Sequence, residues 1–109
     1  MRTVMVRYKI KADKAAENEA YVQRVFDQLH REQPDGVHYA VFKQEDGLSF
    51  VHLAQYEEAQ RSALVDTAAF KEYVAGVESR CEEPPVQIVV QPVGSYKVFG
   101  ELVQLAGKA

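Results

Sequence analysis

The 109-residue chain has no tryptophan, one cysteine, two methionines and a single asparagine, Asn18. With Cys81 alone, an internal disulfide and a cysteine-based zinc cluster are both excluded, and a reducing, cytoplasmic setting is expected. No apolar run approaches the ~20 residues that cross a bilayer. The N-terminus has no apolar leader, so neither a signal peptide nor a membrane partner is expected. Basic surplus is missing too. The net charge of −3 argues against nucleic acid, because phosphate binding wants clustered Lys and Arg. Arg2, Arg7, Lys9, Lys11 and Lys14 are the one local crowding of cations, and they read as a solvated strand edge. A Gly-rich phosphate loop, a Gly-x-Ser-x-Gly elbow and a dinucleotide fingerprint are all absent. His38 and His52 find no carboxylate at a spacing that sets three ligands on one face, so no metal is expected.

What is present is patterned. Thr3 to Lys11 alternates, with Val4, Val6, Tyr8 and Ile10 on one side and Met5, Arg7 and Lys9 on the other, which predicts a strand. Asp13 offers a cap for a helix from about Lys14 to Glu32, with Ala15, Val22, Val25, Phe26 and Leu29 as its apolar stripe. Gln33-Pro34-Asp35-Gly36 ends it. Strands follow at Val37–Gln44 and Leu48–Tyr56, joined by Glu45-Asp46-Gly47, whose glycine suits a tight antiparallel hairpin. Glu57 to Leu64 reads as a short helical connection. Asp66 or Thr67 caps a second helix, about Ala68 to Glu82, with Phe70, Tyr73, Val74, Val77 and Cys81 as its stripe. Pro84-Pro85 ends that helix, and Val86–Gln91 is a fourth strand. Ser95–Phe99 resumes as an extended piece, and Leu102–Leu105 is a weaker apolar tail. One domain therefore covers residues 1–109, with a core of about 3–99 and a tail of 100–109.

The element order predicts an α+β fold, a ferredoxin-like β-α-β-β-α-β subunit. Its antiparallel four-stranded sheet carries two helices on one face. The other face needs cover. It holds Met5 and Arg7 and, if Val51 and Leu53 turn toward the helices, Phe50, His52, Ala54 and Tyr56. The second strand adds either Ala40 and Phe42 or Tyr39 and Val41, since one step of register flips every side chain. Such a face is too apolar for water. A homodimer is expected, closed as a barrel through the two sheet faces, with the C-terminal segment reaching the partner.

Four segments carry a family resemblance: Val6-Arg7-Tyr8-Lys9-Ile10-Lys11, Gly36-Val37-His38-Tyr39, Phe50-Val51-His52-Leu53-Ala54-Gln55-Tyr56, and Leu64-Val65-Asp66-Thr67-Ala68-Ala69-Phe70-Lys71. Together they resemble the dimeric α+β barrel superfamily, in particular the antibiotic-biosynthesis-monooxygenase-like proteins. The resemblance implies a barrel-forming homodimer. It also implies, for the enzymes of the family, oxidation of aromatic or quinol-like compounds by molecular oxygen with no added cofactor; other members degrade haem. The chain departs from those enzymes in lacking a Trp, for which Tyr56 stands in. Family enzymes place an Asn near the reacting oxygen, a role that does not map onto Asn18.

His52 is the first candidate catalytic residue. It lies mid-strand, and an ordinary histidine pKa suits proton transfer. Arg7 is the second, since an inward guanidinium needs an anionic or carbonyl partner. Tyr56, Tyr39, Phe50 and Met5 are expected to line the cavity and touch a small aromatic ligand. Against each stands a plainer role: a bonded core histidine, a structural ion pair, or packing with satisfied hydroxyls. His38 must face the opposite way from Tyr39, so at most one of that pair lines the cavity; His30 is expected at an exposed helix edge and Cys81 to be inert packing. The functional expectation is oxidation of a phenol or quinol in the cavity. The alternatives are a non-catalytic ligand-binding or assembly protein and, more weakly, haem binding or degradation.

Overall fold

The computed structural model describes residues 1–97. The expected Leu102–Leu105 tail and the end of the Ser95–Phe99 piece lie outside the described residues. The elements run β1 (Arg2–Ile10), a 3₁₀ turn (Ala12–Lys14), α1 (Ala15–Glu32), β2 (Val37–Lys43), β3 (Ser49–Tyr56), a 3₁₀ turn (Glu58–Gln60), α2 (Ser62–Val65), α3 (Ala68–Arg80) and β4 (Cys81–Val90). The sheet has the order β2-β3-β1-β4, every neighbour antiparallel. This is the expected ferredoxin-like subunit. The long helices α1 and α3 pack together over one face.

Local chemistry explains most boundaries. The β2–β3 hairpin turns at Gly47, with φ of 72°. The Asp46 carboxylate accepts from the backbone N–H groups of Leu48 and Ser49 at 2.9 and 2.8 Å and from the Ser49 hydroxyl at 2.7 Å. Those bonds, the Ser49 hydroxyl foremost, lower the Asp46 pKa to about 2. Thr67 caps α3, its Oγ1 accepting from Phe70 N at 3.3 Å and donating to Leu64 O at 2.9 Å. Asp13 does not cap α1. It sits inside the 3₁₀ turn, which closes through Lys14 N to Lys11 O at 2.9 Å, and Lys14 stands at the N-cap without a side-chain bond. At the other end, Gln33 takes the left-handed conformation (φ 48°) and donates its N–H to Leu29 O at 2.7 Å.

Helix α3 ends at Arg80, two residues earlier than expected, and Cys81 opens β4 instead of closing the helical stripe. Pro84 and Pro85 then lie within a strand. They are tolerated because β4 is the sheet edge and its pairing with β1 is irregular between Arg7 and Lys9. Val74, placed by spacing on the buried stripe, is 49% exposed, whereas Tyr73 and Val77 are buried.

The assignment of faces on β3 is corrected. Directly opposed residues of an antiparallel pair share a face. Tyr8 opposes Phe50, Val6 opposes His52, and Arg7 opposes Val51. Phe50, His52 and Tyr56 are therefore buried with Val4 and Tyr8 beneath the helices. The open face carries Met5, Arg7, Val51 and Leu53 with Val86 and Ile88, which oppose Arg7 and Met5 across β4. On β2 the helix side takes Val37, Tyr39 and Val41, leaving Ala40 and Phe42 on the open side. The period-two pattern alone does not choose, because β3 is apolar in both phases.

Candidate functional site

The core between the sheet and the helices holds Tyr8, Ile10, Val22, Val25, Phe50, Leu64, Tyr73 and Val77. Five polar residues are buried among the described ones, Asn18, Ser49, His52, Thr67 and Arg80. Burying such groups is costly unless they are bonded, and three of them bond to one another through tyrosines. Strand β3 projects His52 toward the helices. Its Nε2 lies 2.7 Å from the Tyr8 hydroxyl on β1 and 3.3 Å from that of Tyr73 on α3. Its Nδ1 lies 2.5 Å from the Tyr39 hydroxyl on β2. Asn18, from the first half of α1, donates from Nδ2 to the Tyr8 oxygen at 3.0 Å. Arg80, the last residue of α3, donates from Nε to Asn18 Oδ1 at 3.1 Å and from Nη2 to Tyr73 O at 3.1 Å.

Rings close the cluster. The Tyr73 ring stacks on His52 with centroids 5.3 Å apart, and the Arg80 guanidinium lies 4.4 Å above the Tyr21 ring. Gly76 makes room for that guanidinium, since a Cβ there would come within 2.6 Å of Nη1. Among the described residues no carboxylate lies within ion-pair distance of Arg80.

Burial sets the protonation states. Desolvation pushes His52 down to about 3, so the imidazole is neutral at physiological pH. Burial likewise raises Tyr39 and Tyr73. Tyr8 also rises through burial, against opposing hydrogen bonds from Tyr73 and Asn18 and the charge of Arg80. A histidine this hard to protonate is a poor free-standing base. Bonded on both ring nitrogens, it is suited to passing or directing a proton between hydroxyls.

A cleft of about 250 Å³ opens between the end of α1 and the start of β2, lined by Phe26, Leu29, His30, Gln33, Pro34, Val37 and Tyr39. Phe26 and Tyr39 stack in its wall with centroids 5.2 Å apart. Tyr39 thus joins the cleft to His52.

The expected site residues separate into two groups. His52, Tyr39, Phe50 and Tyr56 lie on the helix side, with Tyr39 and His52 bonded and Phe50 stacked on Tyr8 at 5.6 Å. Arg7 and Met5 lie on the opposite face of β1 and cannot meet the same ligand. Sequence reasoning passed over Tyr8, Asn18, Tyr73 and Arg80. A signal existed for two of them. Asn18 lies four and seven residues before the buried Val22 and Val25, and Arg80 three and seven after Val77 and Tyr73. A polar residue on a buried stripe asks for a partner.

Among the described residues, no group of three or more His, Cys, Asp or Glu is placed to hold a metal ion, and no helix is long and apolar enough to cross a membrane.

Solved structures share this architecture. A Nitrosomonas europaea protein provisionally described as an antibiotic biosynthesis monooxygenase superposes with a TM-score of 0.73 at 18% identity, covering 86% of this chain and all of that one. A second N. europaea protein, of unknown function, gives 0.67 at 18% identity over 91% and 95% of the two chains. SnoaB, a cofactor-independent oxygenase from Streptomyces nogalater, gives 0.66 at 13% identity over 88% and 96%. At these identities the likeness establishes the fold alone. No curated protein sequence matches the chain. The family profile described as antibiotic biosynthesis monooxygenase matches residues 1–76. The chain, by this match and by its fold, belongs to the antibiotic biosynthesis monooxygenase family.

Proposed function

We propose that the protein oxidises a small phenol or quinol with molecular oxygen, without a bound cofactor, at the cleft beside Tyr39. The observation that carries this reading is the neutral His52 held between the Tyr8 and Tyr39 hydroxyls, with Tyr39 also lining the cleft. The family supplies the reaction class, and SnoaB is a cofactor-independent oxygenase of the same fold.

In this reading the aromatic ring packs on Phe26 and Leu29. Tyr39, backed by His52, faces the substrate oxygen and supports its anionic form. An electron-rich phenolate gives electrons to oxygen directly. With a phenol bearing a free para C–H, one oxygen atom becomes the second quinone carbonyl and the other leaves as water. Oxygen takes up the four electrons that the ring loses. His52 directs the hydroxyl protons around this step, and Tyr56 and Phe50 support the cluster from β3.

Met5 and Arg7 have another role. Together with Val51, Leu53, Val86 and Ile88, the last two 57% and 44% exposed, they form the face that a second copy of the chain covers. Sedimentation tests this part, and a monomer at micromolar concentration contradicts it.

The enzymatic reading is tested by oxygen uptake with a panel of phenols and quinols. His52→Ala and Tyr39→Phe are each expected to lower the rate about 100-fold or more while circular dichroism shows the fold retained. Uptake that survives both substitutions refutes the site. Absence of uptake with every substrate refutes the enzymatic reading and favours a binding module.

A further inference from the structure

The hydrogen bonds around His52 have a direction, and that direction starts at Arg80. A guanidinium carries donors only. Its bond to Asn18 Oδ1 therefore fixes the amide with its oxygen toward Arg80 and its NH₂ toward Tyr8. Around Tyr8 Oη, Tyr73 Oη and His52 Nε2, the Asn18 amide and the two hydroxyls already bring three protons. All three find acceptors only if Nε2 is bare. The imidazole proton then sits on Nδ1, whose single partner among the described residues is the Tyr39 oxygen at 2.5 Å. Tyr39, whose side chain also lines the cleft, receives that proton, so its own hydroxyl hydrogen is not spent on His52.

From this geometry we infer that Arg80 and Asn18 are positioning residues. They orient a one-way row of donors, Arg80 to Asn18 to Tyr8 to His52 to Tyr39, and make the cleft a site for an acceptor oxygen of an aromatic ligand, a phenolate or quinone oxygen. Two further features fit. The charge at the head of the row has no carboxylate partner among the described residues to cancel it, and bonds in a buried chain reinforce one another. Gly76 leaves the guanidinium its space. The inference deepens the oxygenase reading by naming what the site binds, and it stands or falls on different measurements.

The first measurement is the long-range ¹H–¹⁵N spectrum of the wild-type His52 ring. The inference requires a protonated Nδ1 and a bare Nε2. The second uses Asn18→Asp, which preserves shape but gives Arg80 a carboxylate and removes the donor to Tyr8. The Tyr8 proton should turn to the new carboxylate, the His52 proton should move to Nε2, and Tyr39 should turn its hydroxyl inward. Binding of the probe 4-nitrophenolate, read by its absorbance, should then weaken at least about tenfold, as for a lost bond to a charged group. A wild-type ring protonated on Nε2 overturns the inference, as does an Asn18→Asp protein that binds 4-nitrophenolate like the wild type. If Asn18→Asp does not fold, the wild-type tautomer decides alone. A correct tautomer with tight 4-nitrophenolate binding but no oxygen uptake upholds this inference and refutes the oxygenase reading; uptake with the opposite tautomer does the reverse.

Discussion

Acid should unfold this protein earlier than its carboxylates require, through His52. The ring pKa falls from 6.5 to about 3 on folding, because burial penalises the cation. The unfolded chain thus binds a proton below 6.5 that the native state refuses. The stabilising contribution is complete above pH 6.5 and is lost as pH falls from there toward 3. The slope approaches 1.4 kcal/mol per pH unit. Between pH 7 and 5 the loss is about 2 kcal/mol, and by pH 4 about 3 kcal/mol. For a domain of marginal stability that is a large share of the total. Urea denaturation followed by circular dichroism at pH 7, 6 and 5 measures it. His52→Gln, which accepts from one tyrosine and donates to the other, provides the control. The wild type should lose about 2 kcal/mol more than His52→Gln over that range. Equal slopes would refute the picture of a histidine held neutral by burial.

Other expectations test the supporting structure. Gly76→Ala should fail to give the ~1 kcal/mol gain usual in a helix interior, because its Cβ meets Arg80 Nη1 at 2.6 Å; thermal unfolding should show a loss in the wild type and a gain in an Arg80→Ala background. Thr67→Ala removes the cap on Phe70 N and the bond to Leu64 O and should cost about 1–2 kcal/mol in urea titration. Leu53→Glu places a charge on the open sheet face and should give a monomer by sedimentation with the His52 cluster intact by NMR.

The fold was legible because its signals are local and mutually consistent. Alternation in β1, the Gly47 hairpin, the Thr67 cap and the stripe of α1 each appear where spacing places them, and the stripe of α3 does so at Tyr73 and Val77 but not at Val74 or Cys81. Less legible were features that depend on which of two apolar phases faces inward. Phe50, His52 and Tyr56 alternate with Val51, Leu53 and Gln55, and only the register against β1 decides between them. His52 and Tyr39 were identified as polar residues on strands, but their shared site lies under the helices and not at the open face with Arg7. Tyr73 reads from its spacing as packing, and the Asn role of the family enzymes does not map onto Asn18. Asn18 and Arg80, 62 residues apart, meet only when α1 and α3 close over the sheet.

The crystal structure of the protein with 4-nitrophenol bound tests the central claim most directly. The account predicts the phenol oxygen within hydrogen-bond distance of Tyr39 Oη, with the ring in the cleft of Phe26, Leu29 and Val37 and the His52–Tyr39 bond in place. A phenol bound instead on the open sheet face beside Arg7 and Met5, or none bound at saturating concentration, would contradict it.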